Sequence, residues 1–171
     1  SIIFAVIVLD QLSKWTITEL VLRMSKGEAP IDLITWFTNA PARLESMSVT
    51  VLPFYNLVMV WNEGVSFGLF NDGQSPAAMP LILSAFSLAL AFAFMLWMFS
   101  TKHRLTALSL ALIVGGALGN VIDRLRFGAV IDFLDFHVAG FHWPAFNLAD
   151  SCIVLGVAAL VVGSLFFEKK A

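Results

Sequence analysis

The chain has 171 residues, 59% of them hydrophobic and only 13% charged, with a mean hydropathy of +0.88. Soluble domains carry about 25% charged residues and about 45–50% apolar ones, so this composition excludes an ordinary soluble domain and a disordered chain. A formal net charge of -2 gives no electrostatic basis for a nucleic-acid partner, and a single cysteine, Cys152, excludes an internal disulfide framework.

The apolar residues are therefore expected to face lipid, and the few charges divide the chain. Residues 1–22 form a first apolar segment that carries Asp10, Lys14 and Glu19. The chain opens at Ser inside this run, and a few preceding residues are expected. A cleaved secretory signal is the alternative, but Asp10 interrupts its apolar region and no small-residue cleavage site follows. Residues 23–50 are the most polar stretch, with Pro30 and Pro41, and read as a loop with a short amphipathic helix near Ile31 to Phe37. Val51 to Phe70 is rich in β-branched and aromatic residues punctuated by Pro and Gly, which favours short strands. Residues 79–99 lie in an uncharged run long enough to cross about 30 Å of hydrocarbon. Lys102-His103-Arg104 links it to a second uncharged run, 105–122, which stops at Asp123. Phe127 to Phe146 again reads as strands with interfacial aromatics. A last run, 150–167, begins at Asp150 and is followed by Glu168-Lys169-Lys170.

The predicted architecture is mainly α. It is a single membrane-embedded domain over 1–171, a four-transmembrane-helix bundle with spans near 1–22, 79–99, 105–122 and 150–167. Loops 23–75 and 124–148 would lie outside and form a small extracytoplasmic β-rich platform. If the spans alternate, Lys102, Arg104, Lys169 and Lys170 share one side, and cytoplasmic enrichment of Lys and Arg places both termini there.

Several polar groups sit where lipid should not tolerate them. Asp10 and Lys14 share one helix face. The plain reading is a structural ion pair; the functional one is a brace beneath an active site. Gly115 and Gly119 make a G-x-x-x-G patch suited to close helix packing. Asn120, Asp123 and Arg124 follow within about a turn, and Asp132, Asp135 and Asp150 come soon after. Asp150 alone reads as a helix cap, which explains neither Asp132 nor Asn120 and Asn147. Two carboxylates brought together would share a proton, one acting as base and the other as acid on water. Rival chemistries are weaker. Cys152 lies in an apolar helix, where thiols are inert. His137 and His142 match no zinc spacing. Ser13 is adjacent to Lys14 and faces away from it. A small proton-coupled transporter or channel subunit using buried acids, and a scaffold whose acids are only caps, remain alternatives.

Five motifs in order resemble the lipoprotein signal peptidase family, also called signal peptidase II. They are D-Q-L-S-K at Asp10 to Lys14, N-E-G-V-S-F-G at Asn62 to Gly68, G-G-A-L-G-N-V-I-D-R at Gly115 to Arg124, V-I-D-F at Val130 to Phe133, and W-P-A-F-N-L-A-D-S at Trp143 to Ser151. The resemblance implies a multi-pass aspartic endopeptidase of the bacterial inner membrane, with its site near the outer face. Such an enzyme removes the signal peptide from diacylglyceryl-modified prolipoproteins, cutting before the lipidated cysteine. It implies no metal and no cofactor. Prolipoproteins and membrane lipids would be the partners, and the enzyme is expected to be a monomer. Carried over by motif, Asp132 and Asp150 resemble the catalytic pair, and Asn62, Asn120, Arg124 and Asn147 the groups that hold substrate. Asp10 and Lys14 resemble the structural polar pair of the first span. Asp123 is the rival for the first catalytic place, but its neighbour Arg124 would neutralise it, so it is expected to anchor Arg124 or the span end. The V-S-F-G strand and the long outer loop would form a lid or platform. The segment around Lys26 to Thr50 is longer than is usual for the family.

Overall fold

A computed structural model describes residues 1–64 and 78–166. Helix α1 (Ile2–Trp15) runs into a π-helical extension, Thr16–Arg23. A short helix α2 (Leu33–Asn39) follows, started by Asp32, whose carboxylate accepts from Thr35 N at 3.0 Å. Strands β1 (Ser48–Leu52) and β2 (Tyr55–Asn62) precede two long helices, α3 (Met79–Ser100) and α4 (Arg104–Phe127). Strands β3 (Val130–Val138) and β4 (Phe141–His142) lead into α5 (Leu148–Phe166). Among the described residues, α3, α4 and α5 are the helices long and apolar enough to cross a membrane. The structure is thus mainly helical with a small antiparallel sheet, ordered β1-β2-β3-β4.

The charge-defined boundaries fall inside two of the helices. Helix α4 continues past Asp123 to Phe127 and ends at Gly128, whose positive φ of 70° lets its N–H reach Arg124 O at 2.9 Å. Helix α5 starts before Asp150, at Leu148. The expected short helix near Ile31 to Phe37 appears as α2, and the two aromatic stretches contain β2, β3 and β4, but β1 already starts at Ser48, inside the stretch read as a loop, because Ser48 to Thr50 pair with Asn56 to Val58 of β2. The V-S-F-G segment lies outside the described residues.

Helix α4 is the centre of the bundle and packs against α1, α3 and α5. Its glycines set the distances. A Cβ on Gly115 would lie 2.7 Å from Val6 Cβ of α1, and one on Gly116 would lie 2.4 Å from Ala149 O of α5. The expected close packing at this patch is therefore present. Above the bundle, Leu22, Trp36, Leu57, Met59, Ile131 and Phe133 form an apolar core between the π-helical extension, α2 and the sheet. Side chains alternate along a strand, so with Ile131 and Phe133 in this core, Asp132 points to the opposite face.

Candidate active site

Asp132 is buried near the start of β3 and meets two amides. Asn62 Nδ2, at the end of β2, donates to its Oδ2 at 3.0 Å, and Asn147 Nδ2 donates to its Oδ1 at 2.8 Å. Burial first, and then the charge of Asp150, push the Asp132 carboxyl up to about 7, against the opposing pull of the Asn62 amide. The pKa of this acid and its charge state are thus set jointly with Asp150.

Asp150 sits in the first turn of α5 and exchanges hydrogen bonds with Asn147, the residue before the helix. Asp150 N donates to Asn147 Oδ1 at 2.9 Å, and Asn147 N donates to Asp150 Oδ2 at 3.2 Å. This is the reciprocal pattern of a capping box. The other carboxylate oxygen, Oδ1, accepts from Asn120 Nδ2 at 2.8 Å. Asn147 therefore touches both acids. Its amide also donates to Asn120 Oδ1 at 3.1 Å and to Ile131 O at 3.2 Å.

Beneath this layer lies a fully buried ionic cluster. Lys14 Nζ is 2.8 Å from Asp10 Oδ2 and 2.7 Å from Asp123 Oδ2, and it donates to Asn120 Oδ1 at 3.3 Å. Asp10 accepts from Ala149 N at 3.0 Å, and Asp123 accepts from Ile131 N at 3.1 Å. Each residue of the cluster thus fixes a backbone or amide next to one of the upper acids. Asp123 lies in the last turns of α4, and its partners are Lys14 Nζ and Ile131 N rather than Arg124. Pairing with the ammonium of α1 replaces the local neutralisation inferred from sequence adjacency.

Arg124 is half-buried, with its charge facing Asp150, Asp123 and Asp132. Its Nη2 donates to Gly64 O at 3.5 Å, and its buried Nε has no acceptor among the described residues. Beside Asp150 opens an apolar cavity of about 520 Å³, walled by Trp143, Pro144, Phe146, Ile153 and Val154.

The other candidates stand apart. Ser13 Oγ donates to Asp10 O at 2.7 Å, away from Lys14. Cys152 is partly exposed on α5. His142 pairs with Asp135 at 2.9 Å and stacks on His137 with ring centroids 4.7 Å apart, on the β3–β4 hairpin. Among the described residues no group of three or more His, Cys, Asp or Glu side chains has metal-binding geometry. Gln11 joins the cluster although nothing in its residue type marks it in the sequence. Its amide donates to Asp123 Oδ1 at 2.8 Å and accepts from Arg126 Nη1 at 3.2 Å. Its place inside the D-Q-L-S-K motif was the signal, masked because an uncharged amide does not break an apolar run.

The family described as Signal peptidase (SPase) II matches residues 2–166. The chain belongs to the signal peptidase II family. Curated relatives include the lipoprotein signal peptidase of Aquifex aeolicus (strain VF5), 40% identical over 141 residues that cover 82% of each chain. That of Rhodopseudomonas palustris is 47% identical over 121 residues, covering 68% of this chain and 73% of the relative. A solved bacterial membrane enzyme aligns with a TM-score of 0.69 at 25% identity, over 99% of this chain and 89% of the other. As a member of the signal peptidase II family the chain is a membrane protease, and the transporter and channel readings find no support.

Proposed function

We propose that Asp132 and Asp150 are the catalytic pair with which this signal peptidase II removes signal peptides from prolipoproteins, cutting before a diacylglyceryl-modified cysteine. The observation that carries the assignment is Asn147, which hydrogen-bonds both carboxylates at once. Asp132, held near pKa 7, is the proton donor, and Asp150, at the positive end of α5, is the base. Asp150 takes a proton from water as its oxygen adds to the scissile carbonyl carbon, while Asp132 protonates the carbonyl oxygen. Collapse of the resulting diol breaks the C–N bond as the Asp132 carboxylate takes back a hydroxyl proton, and the leaving cysteine amine takes the proton that Asp150 gained. Asn62, Asn120 and Asn147 set the two carboxylates, and Arg124 holds a substrate backbone carbonyl through its unused Nε. The apolar cavity beside Asp150 suits an acyl chain of the modified cysteine or an apolar signal-peptide side chain. Asp10, Lys14 and Asp123 brace the layer from below.

The whole of 1–171 acts as one domain. Its α1 with the π-helical extension is the fourth span, and loops 23–75 and 124–148 lie on the outer face of the inner membrane. Both termini are cytoplasmic, supported by Lys102 in the α3–α4 link and Arg104 at the start of α4, and the enzyme works as a monomer among lipids. The test is cleavage of a lipobox peptide with and without a diacylglyceryl group on its cysteine. Asp132→Asn and Asp150→Asn should each lower the rate by about 10²–10⁴-fold or more while the protein stays folded, and the unmodified peptide should be cut far more slowly. Thiol alkylation and chelators should leave the rate unchanged. Full activity in either variant, or chelator loss reversed by zinc, would overturn the pair.

A further inference from the structure

The segment between α1 and β1 carries an apolar surface that the cleavage chemistry does not use. Helix α2 is pinned from one side only. Trp36 is 2% exposed and packs against Phe127, with ring centroids 5.7 Å apart. The Arg126 guanidinium lies 4.2 Å from the Trp36 ring and 4.6 Å from that of Phe37, and donates to Trp36 O at 2.5 Å. With Trp36 turned inward, Leu33, Ile34 and Phe37 share the other side of the helix. They overhang Phe4, Val8 and Leu12 of α1, three residues also spaced along one helical face. Between the two helices runs an open groove of about 410 Å³, within the size range of small-ligand sites, roughly 300–1,000 Å³. Ile34 is 75% exposed and Phe4 66%.

We infer that this groove is a binding site for one acyl chain of a membrane lipid. The polar groups in its wall select that occupant. Gln11 and Thr38 are the polar residues of the lining, and both are committed within the protein. The Gln11 amide serves Asp123 and Arg126, and Thr38 Oγ1 donates to Ile34 O at 2.9 Å. An extended peptide would lose water from its N–H and C=O groups here and find nothing in exchange, whereas an acyl chain has no such groups to satisfy. The α1 wall is continuous with the outward face of that helix, which also exposes Leu9 and Ile2. The groove shares no lining residue with the cavity beside Asp150, so it is a second apolar site. The inference rests on the reading of α1 as a membrane span, not on the identity of the catalytic pair.

The experiment is photo-crosslinking of the full chain in nanodiscs whose phospholipid carries a mid-chain diazirine, with adducts located by peptide mass spectrometry. Leu9 on α1 and Phe86 on α3, both exposed outside the groove, report ordinary lipid contact. Phe4, Ile34 and Phe37 should be labelled several-fold more than Leu9 and Phe86. Val8→Phe, which fills the groove from an outward position, should remove that excess and leave Leu9 labelling unchanged. Equal labelling of groove and Leu9, an excess that survives Val8→Phe, or cross-links running to a second copy of the chain would each overturn the site. Labelling of Phe86 without Leu9 would overturn the membrane placement of α1, and the groove with it.

Discussion

At the scale of single residues, the site is two acids held by amides above a buried ammonium. Because burial raises the Asp132 carboxyl from 3.8 to about 7, the folded protein binds a proton that the unfolded chain has already released. Stability should therefore fall as pH rises from about 4 to about 7 and level off above. Thermal midpoints in detergent across that window check the sign, and Asp132→Asn should flatten the slope. The same proton should appear in catalysis as a loss of kcat/KM above about pH 7. Asn62→Ala removes a donor that favours the carboxylate, so the alkaline limb should move to higher pH. Lys14→Met should cost about 3–5 kcal/mol, because it leaves two buried carboxylates facing each other. Adding Asp10→Asn should recover part of that loss in the same unfolding measurement. The sequence located Asp10, Lys14, Asp132 and Asp150 because charge in an apolar context is conspicuous. It could not reveal that Asp123 pairs with Lys14 or that Gln11 joins them, since both contacts link α1 to α4 across the bundle and neither helix records the other's register.

At the scale of elements, the three long apolar helices are legible wherever charge is absent, and their ends are not legible where charge is neutralised inside the fold. Helix α4 runs through Asp123 because Lys14 balances it, and through Arg126 because that guanidinium lies on the rings of Trp36, Phe37 and Phe127. Period and composition announced strands in both outer stretches, but the pairing of β2 with β3, which brings Asn62 to Asp132, is a tertiary fact. The glycines of α4 offer a sharp test of how helix spacing governs the site. At Gly116 a methyl group would meet the Ala149 carbonyl, which is backbone and adjoins Asp150. Gly116→Ala should cost about 1–3 kcal/mol and depress cleavage further than this loss of stability explains. Gly163→Ala, which meets only the end of the Leu105 side chain at 3.2 Å, should be tolerated in both assays.

At the scale of the whole molecule, the small sheet and α2 cap one end of a helical bundle, and the acids lie at the junction between the two. The bundle supplies Asn120, Arg124 and Asp150, and the sheet supplies Asn62 and Asp132, so neither part holds the whole candidate site. This division gives the buried ionic cluster a consequence for biogenesis. The Gln11–Asp123 contact spans 112 residues of sequence, so α1 leaves the ribosome long before α4 exists to receive its polar face. If α1 is the proposed fourth span, an Asp or Lys at its centre opposes insertion by about 2.5–3.5 kcal/mol each, and Asp10 and Lys14 then have only one another. Helix α1 should therefore linger at the insertion machinery until α4 arrives. A fragment that stops before α4 should integrate incompletely in a glycosylation-mapping assay. The same fragment with Asp10→Leu and Lys14→Leu should integrate fully, and equal integration of the two would show that α1 needs no escort. Such a result would make the late-made helix an intramolecular chaperone for the early one.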